Sequence, residues 1–192
     1  MKLCKAIGVS LVLTGLLSAC SSVPLVENTT GINLLETNKP VYTLVNLHPD
    51  MNNLRLYTVN YQQDGLIPRC TPVKIQQFNK KILSFKDLSD ERTYTLIKHG
   101  SSPDFVAYLN KYFGTACDTN KVNSLSDIDK KGITEGSALI GMSKDAVVLA
   151  IGYPPEHKTT SLKNNSWIYW SNRFNRFAVG FNENGYVESI QD

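Results

Sequence analysis

The residues of this 192-residue chain best equipped for chemistry are its four cysteines, Cys4, Cys20, Cys70 and Cys117. A thiolate can attack an electrophile, ligate zinc or join a second sulfur, and spacing helps to separate these uses. Structural zinc sites bring cysteines in close pairs. No second cysteine lies near Cys70 or Cys117, and the three histidines, His48, His99 and His157, are scattered. Cys70, His99 and Asp118 can be assembled on paper into a catalytic triad, although a disulfide accounts for Cys70 more simply. Glu156-His157 follows Pro154-Pro155 with no matching ligand cluster. Asp127 and Asp129 are similar to the start of a calcium loop. The glycine and glutamate of EF-hand spacing are missing, so both read as surface charge. No Ser-His-Asp set, zinc spacing or phosphate loop emerges, and a site needs several convergent roles. The expectation is a protein with no catalytic residues, no metal and no cofactor.

The fate of the cysteines depends on the compartment. Lys2 and Lys5 precede an apolar run from Ala6 to Leu17. Spanning a bilayer takes about 20 apolar residues, so this run fits the core of a secretory signal. It ends in Leu17-Ser18-Ala19-Cys20, which resembles the lipobox of bacterial lipoproteins. That resemblance implies that residues 1–19 are a signal peptide and that Cys20 is acylated and becomes the new N-terminus. Ser21 and Ser22 follow, with no aspartate. By resemblance to Gram-negative lipoproteins, this implies sorting to the outer membrane, with the body in the periplasm. Acyl chains anchor without spanning. The expected partners are thus outer-membrane lipid, through acylated Cys20, and envelope proteins. Loss of residues 1–19 leaves 18 basic against 17 acidic side chains, a formal +1. A near-neutral chain lacks the basic footprint of nucleic-acid binding. Cys70 and Cys117 remain as an even pair in an oxidising space, and a disulfide between them is expected. Closing their 47-residue separation contributes about 4 kcal/mol in the loop-entropy model.

The elements that would position these residues form an expected α+β fold. Residues 20–40 lack sustained periodicity and read as a lipidated tether. Residues 41–118 read as a β-rich domain. The segments VYTLVNL, LRLYTVNYQ, PVKIQQF, KILSFKDL and RTYTLIKH alternate with turn residues, which predicts a run of antiparallel strands. SSPDFVAYLNKYFG predicts one helix, with Ser102 as cap, Pro103 at its first position and Gly114 just past its end. Residues 119–132 are polar and charged and read as a linker. In 133–192, a first helix is expected near 133–139. Ser143 caps a second, apolar helix that Gly152 and Pro154-Pro155 end. Strands follow near 167–170, 176–181 and 186–190, with a reversal at Asn184-Gly185.

The ordered set Gly141-Met142-Ser143, Val147, Gly152-x-Pro154, Trp167-x-Tyr169, Phe181, Asn184-Gly185 and Val187 resembles the BamE (SmpA/OmlA) family of small outer-membrane lipoproteins. The resemblance covers about a third of the chain. It implies an ααβββ domain, with a three-stranded antiparallel sheet packed on short helices. It also implies a part in the machine that inserts β-barrels into the outer membrane. The expected function is non-catalytic, through protein contacts in outer-membrane assembly or envelope integrity. The alternative is a periplasmic binding or inhibitor protein for a secreted enzyme or cell-wall ligand. Within SWIYWSNRFNRF, strand alternation turns about half the side chains inward. Trp170, Arg173, Phe174 and Arg176 are the candidate partner-binding residues, being of the types enriched at interface hot spots or their neighbours.

Overall fold

Alternating apolar residues from Val41 onward build a six-stranded sheet in the computed structural model, which describes residues 24–102 and 104–192. Its strands are β1 (Val41–Thr43), β2 (Arg55–Tyr57), β3 (Pro72–Phe78), β4 (Ile82–Asp87), β5 (Thr93–Ile97) and β6 (Phe113–Gly114). Their order across the sheet is β2-β5-β4-β3-β1-β6. Val73 and Ile75 of β3 face the core. Strict alternation would then send Gln77 inward, but the register shifts between Ile75 and Gln77 and brings Phe78 in instead. Asn79 makes the β3–β4 turn, its Oδ1 accepting from the amides of Lys81 (2.8 Å) and Ile82 (3.1 Å). One expectation fails here: β2 runs parallel to β5, not antiparallel. Alternation reports which residues face inward and is blind to strand direction.

Helix α1 (Phe105–Tyr112) crosses to the sheet through Phe105, Leu109 and Tyr112. Its cap is Asp104, not the expected Ser102; the carboxylate accepts from the amides of Val106 and Ala107. Pro103 lies outside the described residues. The helix stops at Phe113, whose extended backbone enters β6, so Gly114 is a strand residue paired with Tyr42.

Two further expectations are corrected. Of the expected tether, residues 25–34 are docked rather than free. Leu25 and Leu34 are fully buried, and the Leu34 amide donates to the Leu25 carbonyl at 2.8 Å. The carboxylate of Glu27 accepts from the Thr115 amide (2.8 Å), the Thr115 hydroxyl (2.7 Å) and the Thr30 hydroxyl. Burial alone raises this carboxyl's pKa, but the hydrogen bonds from Thr30 and Thr115 outweigh it and leave it below its ordinary value. The expected linker 119–132 holds α2 (Asn120–Asn123) and most of α3 (Asp127–Glu135). Ser126 caps α3, and Gly136, in the left-handed region at φ 65°, ends it. Asp129 is not surface charge. It is 4% exposed and accepts from the Ser143 amide at 2.8 Å and the Ser143 hydroxyl at 3.3 Å.

The rest of the C-terminal part follows the expected order: α4 (Lys144–Ile151), then β7 (Ser166–Trp170), β8 (Arg176–Phe181) and β9 (Val187–Gln191) as an antiparallel sheet. Ser143 caps α4. Trp167, Tyr169, Val179, Phe181 and Val187 form the buried side of the sheet. Every residue from Ala146 to Ile151 is buried, and a helix buried all round must have cover on several sides. The N-terminal part supplies it. The Asn46 amide donates to the Leu149 carbonyl (3.0 Å), and His48 Nε2 meets the Ala150 carbonyl (3.1 Å). Asn60 Nδ2 and Gln62 Nε2 donate to Ile151 (2.7 and 2.9 Å). Tyr169 Oη donates to Gly152 (3.0 Å), and Asn60 Nδ2 also donates to Tyr153 (2.9 Å). Gly152 sits at φ 74°, where a Cβ would lie 2.9 Å from Asn60 Nδ2. Residues on both sides of 119–132 therefore share one hydrophobic core.

His48 yields a pH prediction. Burial lowers its pKa, opposed by the carbonyls of Ala150 and Gly65. The folded state thus holds it neutral where the unfolded chain would take a proton. Stability then falls as pH drops through the unfolded value of about 6.5, because the unfolded state binds more protons there. His48→Gln, which keeps a donor but cannot titrate, is expected to show a smaller loss of melting temperature between pH 7.5 and 5.5 than the unmodified protein. Equal losses would contradict this assignment. Glu27 and Asp50, whose carboxyls also sit low, titrate below that window.

Candidate functional site

The turn that joins β7 to β8 is made by one side chain. Asn172 Oδ1 accepts from the amides of Phe174 (2.9 Å) and Asn175 (3.0 Å). The Ser171 amide donates to the Asn175 carbonyl at 2.9 Å and closes the loop. Asparagine does this readily because its side chain reaches backbone amides two and three residues on. The closure leaves Phe174 at the tip, 75% exposed. The Arg173 guanidinium lies 4.5 Å from the centroid of the Phe174 ring. Arg176 is exposed one residue past the turn, in register with Trp170. Neither arginine is in a salt bridge among the described residues.

The tip is lashed to the six-stranded sheet. The Gln62 amide donates to the Trp170 carbonyl at 2.8 Å, and Tyr61 bridges Trp170 in parallel. Tyr61 packs on Tyr57 of β2, with ring centroids 5.4 Å apart. Burial raises the Tyr61 pKa, and the neighbouring Tyr57 adds to the rise while Arg173 opposes it. Asp50, Tyr57, Tyr61, Gln63, His99 and Arg173 line a cleft of about 290 Å³ beside the tip. An arginine and two tyrosines at its rim are residue types that supply binding energy at interfaces.

Of the four candidate partner-binding residues, the structure leaves Arg173, Phe174 and Arg176 exposed. Trp170 is less open than the other three. It is half-buried, and its indole nitrogen is enclosed without a hydrogen-bond partner. The Tyr61 segment runs beside it, a pairing that nothing local in the sequence announces. Asp50, Tyr57, Tyr61 and His99 were not foreseen as neighbours of the tip for the same reason.

The other chemistry-bearing residues disperse. Cys70 and Cys117 are joined in a disulfide, with Cα atoms 5.5 Å apart, so Cys70 offers no thiolate. His99 Nδ1 meets the Ser101 hydroxyl at 2.8 Å. Among the described residues, no three histidines, cysteines, aspartates or glutamates are grouped to hold a metal ion. Cys20 and the expected signal peptide lie outside the described residues. No described helix is long and apolar enough to cross a membrane.

Comparison with known proteins returns no relative: no family model, no curated protein and no solved structure matches the chain.

The geometry separates Trp170 from Phe174 in a denaturation experiment. Trp170→Ala removes a half-buried ring and is expected to cost roughly 1.5–3 kcal/mol. Phe174→Ala is expected to stay within about 0.5 kcal/mol of the unmodified protein. Urea unfolding of both variants checks this, and a large loss at position 174 would place that ring in the core.

Proposed function

We propose that the protein is a lipid-anchored outer-membrane lipoprotein that acts without catalysis, through protein contacts in outer-membrane assembly or envelope integrity. The observation that carries this reading is the tip of the β7–β8 hairpin. An exposed phenylalanine is held out by a closed turn, with an unbridged arginine over its ring. Such a ring costs little to fix on binding, because the turn has already ordered it. Its solvent-exposed apolar surface gains by being covered.

The resemblance of residues 133–190 to the BamE (SmpA/OmlA) family supports the same reading. The order α3, α4, β7, β8, β9 agrees with the ααβββ arrangement that the resemblance implies. The barrel-assembly machine is therefore the partner to test first. Anchoring is proposed through acylated Cys20, on the strength of the signal and lipobox in the sequence. The engagement of Cys70 in a disulfide and of His48 with the Ala150 carbonyl supports a role without catalysis.

The cleft beside the tip favours a second reading, a periplasmic binding or inhibitor protein for a secreted enzyme or cell-wall ligand. Its volume of about 290 Å³ and its tyrosine walls are compatible with a side chain or a sugar ring.

Affinity capture from envelope extract separates the two. Recovery of the barrel-assembly machine is expected. Arg173→Ala with Phe174→Ala should weaken that recovery about tenfold or more, with folding unchanged. Undiminished capture by the double variant would remove the tip from the interface. Recovery of a hydrolase or of peptidoglycan instead would favour the second reading. Separately, Cys20→Ala is expected to move the protein from the membrane pellet to the supernatant at high salt. Quantitative pelleting of that variant would refute the lipid anchor.

A further inference from the structure

The docked segment 25–34 changes what a lipid on Cys20 would do. We propose that it fixes one face of the body, the groove between residues 27–30 and α1, against the surface of the bilayer. The proposal rests on the anchor reading above. Only four residue steps separate Cys20 from Pro24, where the described chain begins. A fully extended chain covers at most about 14 Å in that number. A free leash from 20 to 40 would instead wander over about 25 Å root-mean-square, and further when stretched. The chain is not free to do so. Leu25 is buried, Asn110 holds Val26 and Asn28 through its side chain, and Glu27 is tied to Thr115.

The surface at this place suits lipid headgroups. A groove of about 500 Å³ is lined by Asn28, Thr29, Thr30, Ala107, Asn110 and Lys111, among others. Its carboxylate, Glu27, is buried and turned into the protein, and Lys111 at the groove's edge is paired with Glu156 at 2.6 Å. A groove whose charges are paired or turned inward meets an anionic headgroup layer without strong repulsion.

The hairpin tip supplies a second position against which this orientation can be read. The docked segment lies at the β6 side of the six-stranded sheet, through Thr115. The tip lies at β2, through Tyr57 and Tyr61. These strands are the two edges of the sheet. A fixed orientation therefore gives the groove and the tip, held on different strands, different depths relative to the lipid.

The experiment uses the full-length, acylated protein in vesicles of phosphatidylethanolamine and phosphatidylglycerol that carry a nitroxide quencher at headgroup depth. A fluorophore is placed by Ala107→Cys or by Phe174→Cys. The label at 107 is expected to lose most of its emission, and the label at 174 to keep it. Leu25→Ser with Glu27→Ala should release the segment and bring quenching at 107 down to the level at 174. Acylated, vesicle-bound protein with equal quenching at the two positions overturns the fixed orientation and leaves the anchor standing. Absence of an acyl mass on Cys20 in protein purified from envelopes removes the anchor and this orientation together.

Discussion

The last carbonyls of an α-helix have no partner inside the helix, and they carry its negative end. At the end of α4, the residues that carry them, Leu149 to Gly152, are buried. An unpaired buried carbonyl costs about 1–3 kcal/mol. Leu149, Ala150, Ile151, Gly152 and Tyr153 present five in a row, and each is met by a named donor. Of the residues that supply these donors, Asn46, His48, Asn60 and Gln62 lie before residue 63. The end of the second half is thus completed by the first. A C-terminal ααβββ unit cut away at the apparent linker would leave most of these carbonyls bare.

Other features follow from this joint. Asn60 has φ 52°, a left-handed conformation that asparagine tolerates better than most residues. That bend aims Nδ2 at two carbonyls at once and sends Tyr61 and Gln62 along β7. The place of the hairpin tip is therefore inherited from the helix end. Asp129 works at the other end of α4. It accepts from the Ser143 amide and hydroxyl, while Ser143 accepts from the Ala146 amide. A buried carboxylate thus holds the cap that starts the helix, and favours the helix's positive end.

What the sequence shows depends on how far apart the interacting residues lie. Ser143, Gly152 and Asn184-Gly185 act within a few residues of themselves, and the helix, its end and the last reversal are legible from them. The α3 start is local as well: Ser126 is a cap, with Asp127 and Asp129 in the first turn. Polar composition hides it, because a helix with one narrow apolar face looks like a solvated loop. The parallel pairing of β2 with β5, the docking of Leu25 and the burial of Trp170 all depend on partners dozens of residues away. Strand alternation says which residues turn inward and not what covers them. At the candidate site this distinction divides the hairpin. The turn and its exposed Arg173 and Phe174 are readable from SNRFN, whereas the Tyr57–Tyr61 wall and the cleft are not.

A partner-binding tip gains affinity when its side chains are already ordered, because association otherwise costs about 0.5–1.5 kcal/mol for each long side chain immobilised. Three constraints order this one: the Asn172 turn, the β7–β8 ladder and the Tyr61–Gln62 edge. Trp170 serves it from behind. It is half-buried beneath the turn, and its backbone pairs with the Tyr61 segment. That leaves the exposed phenylalanine with one arginine beside it, on a base whose position is set by the five carbonyls of α4. A substitution in that distant helix end would move the tip without touching it, so tip geometry and fold stability are coupled in this protein.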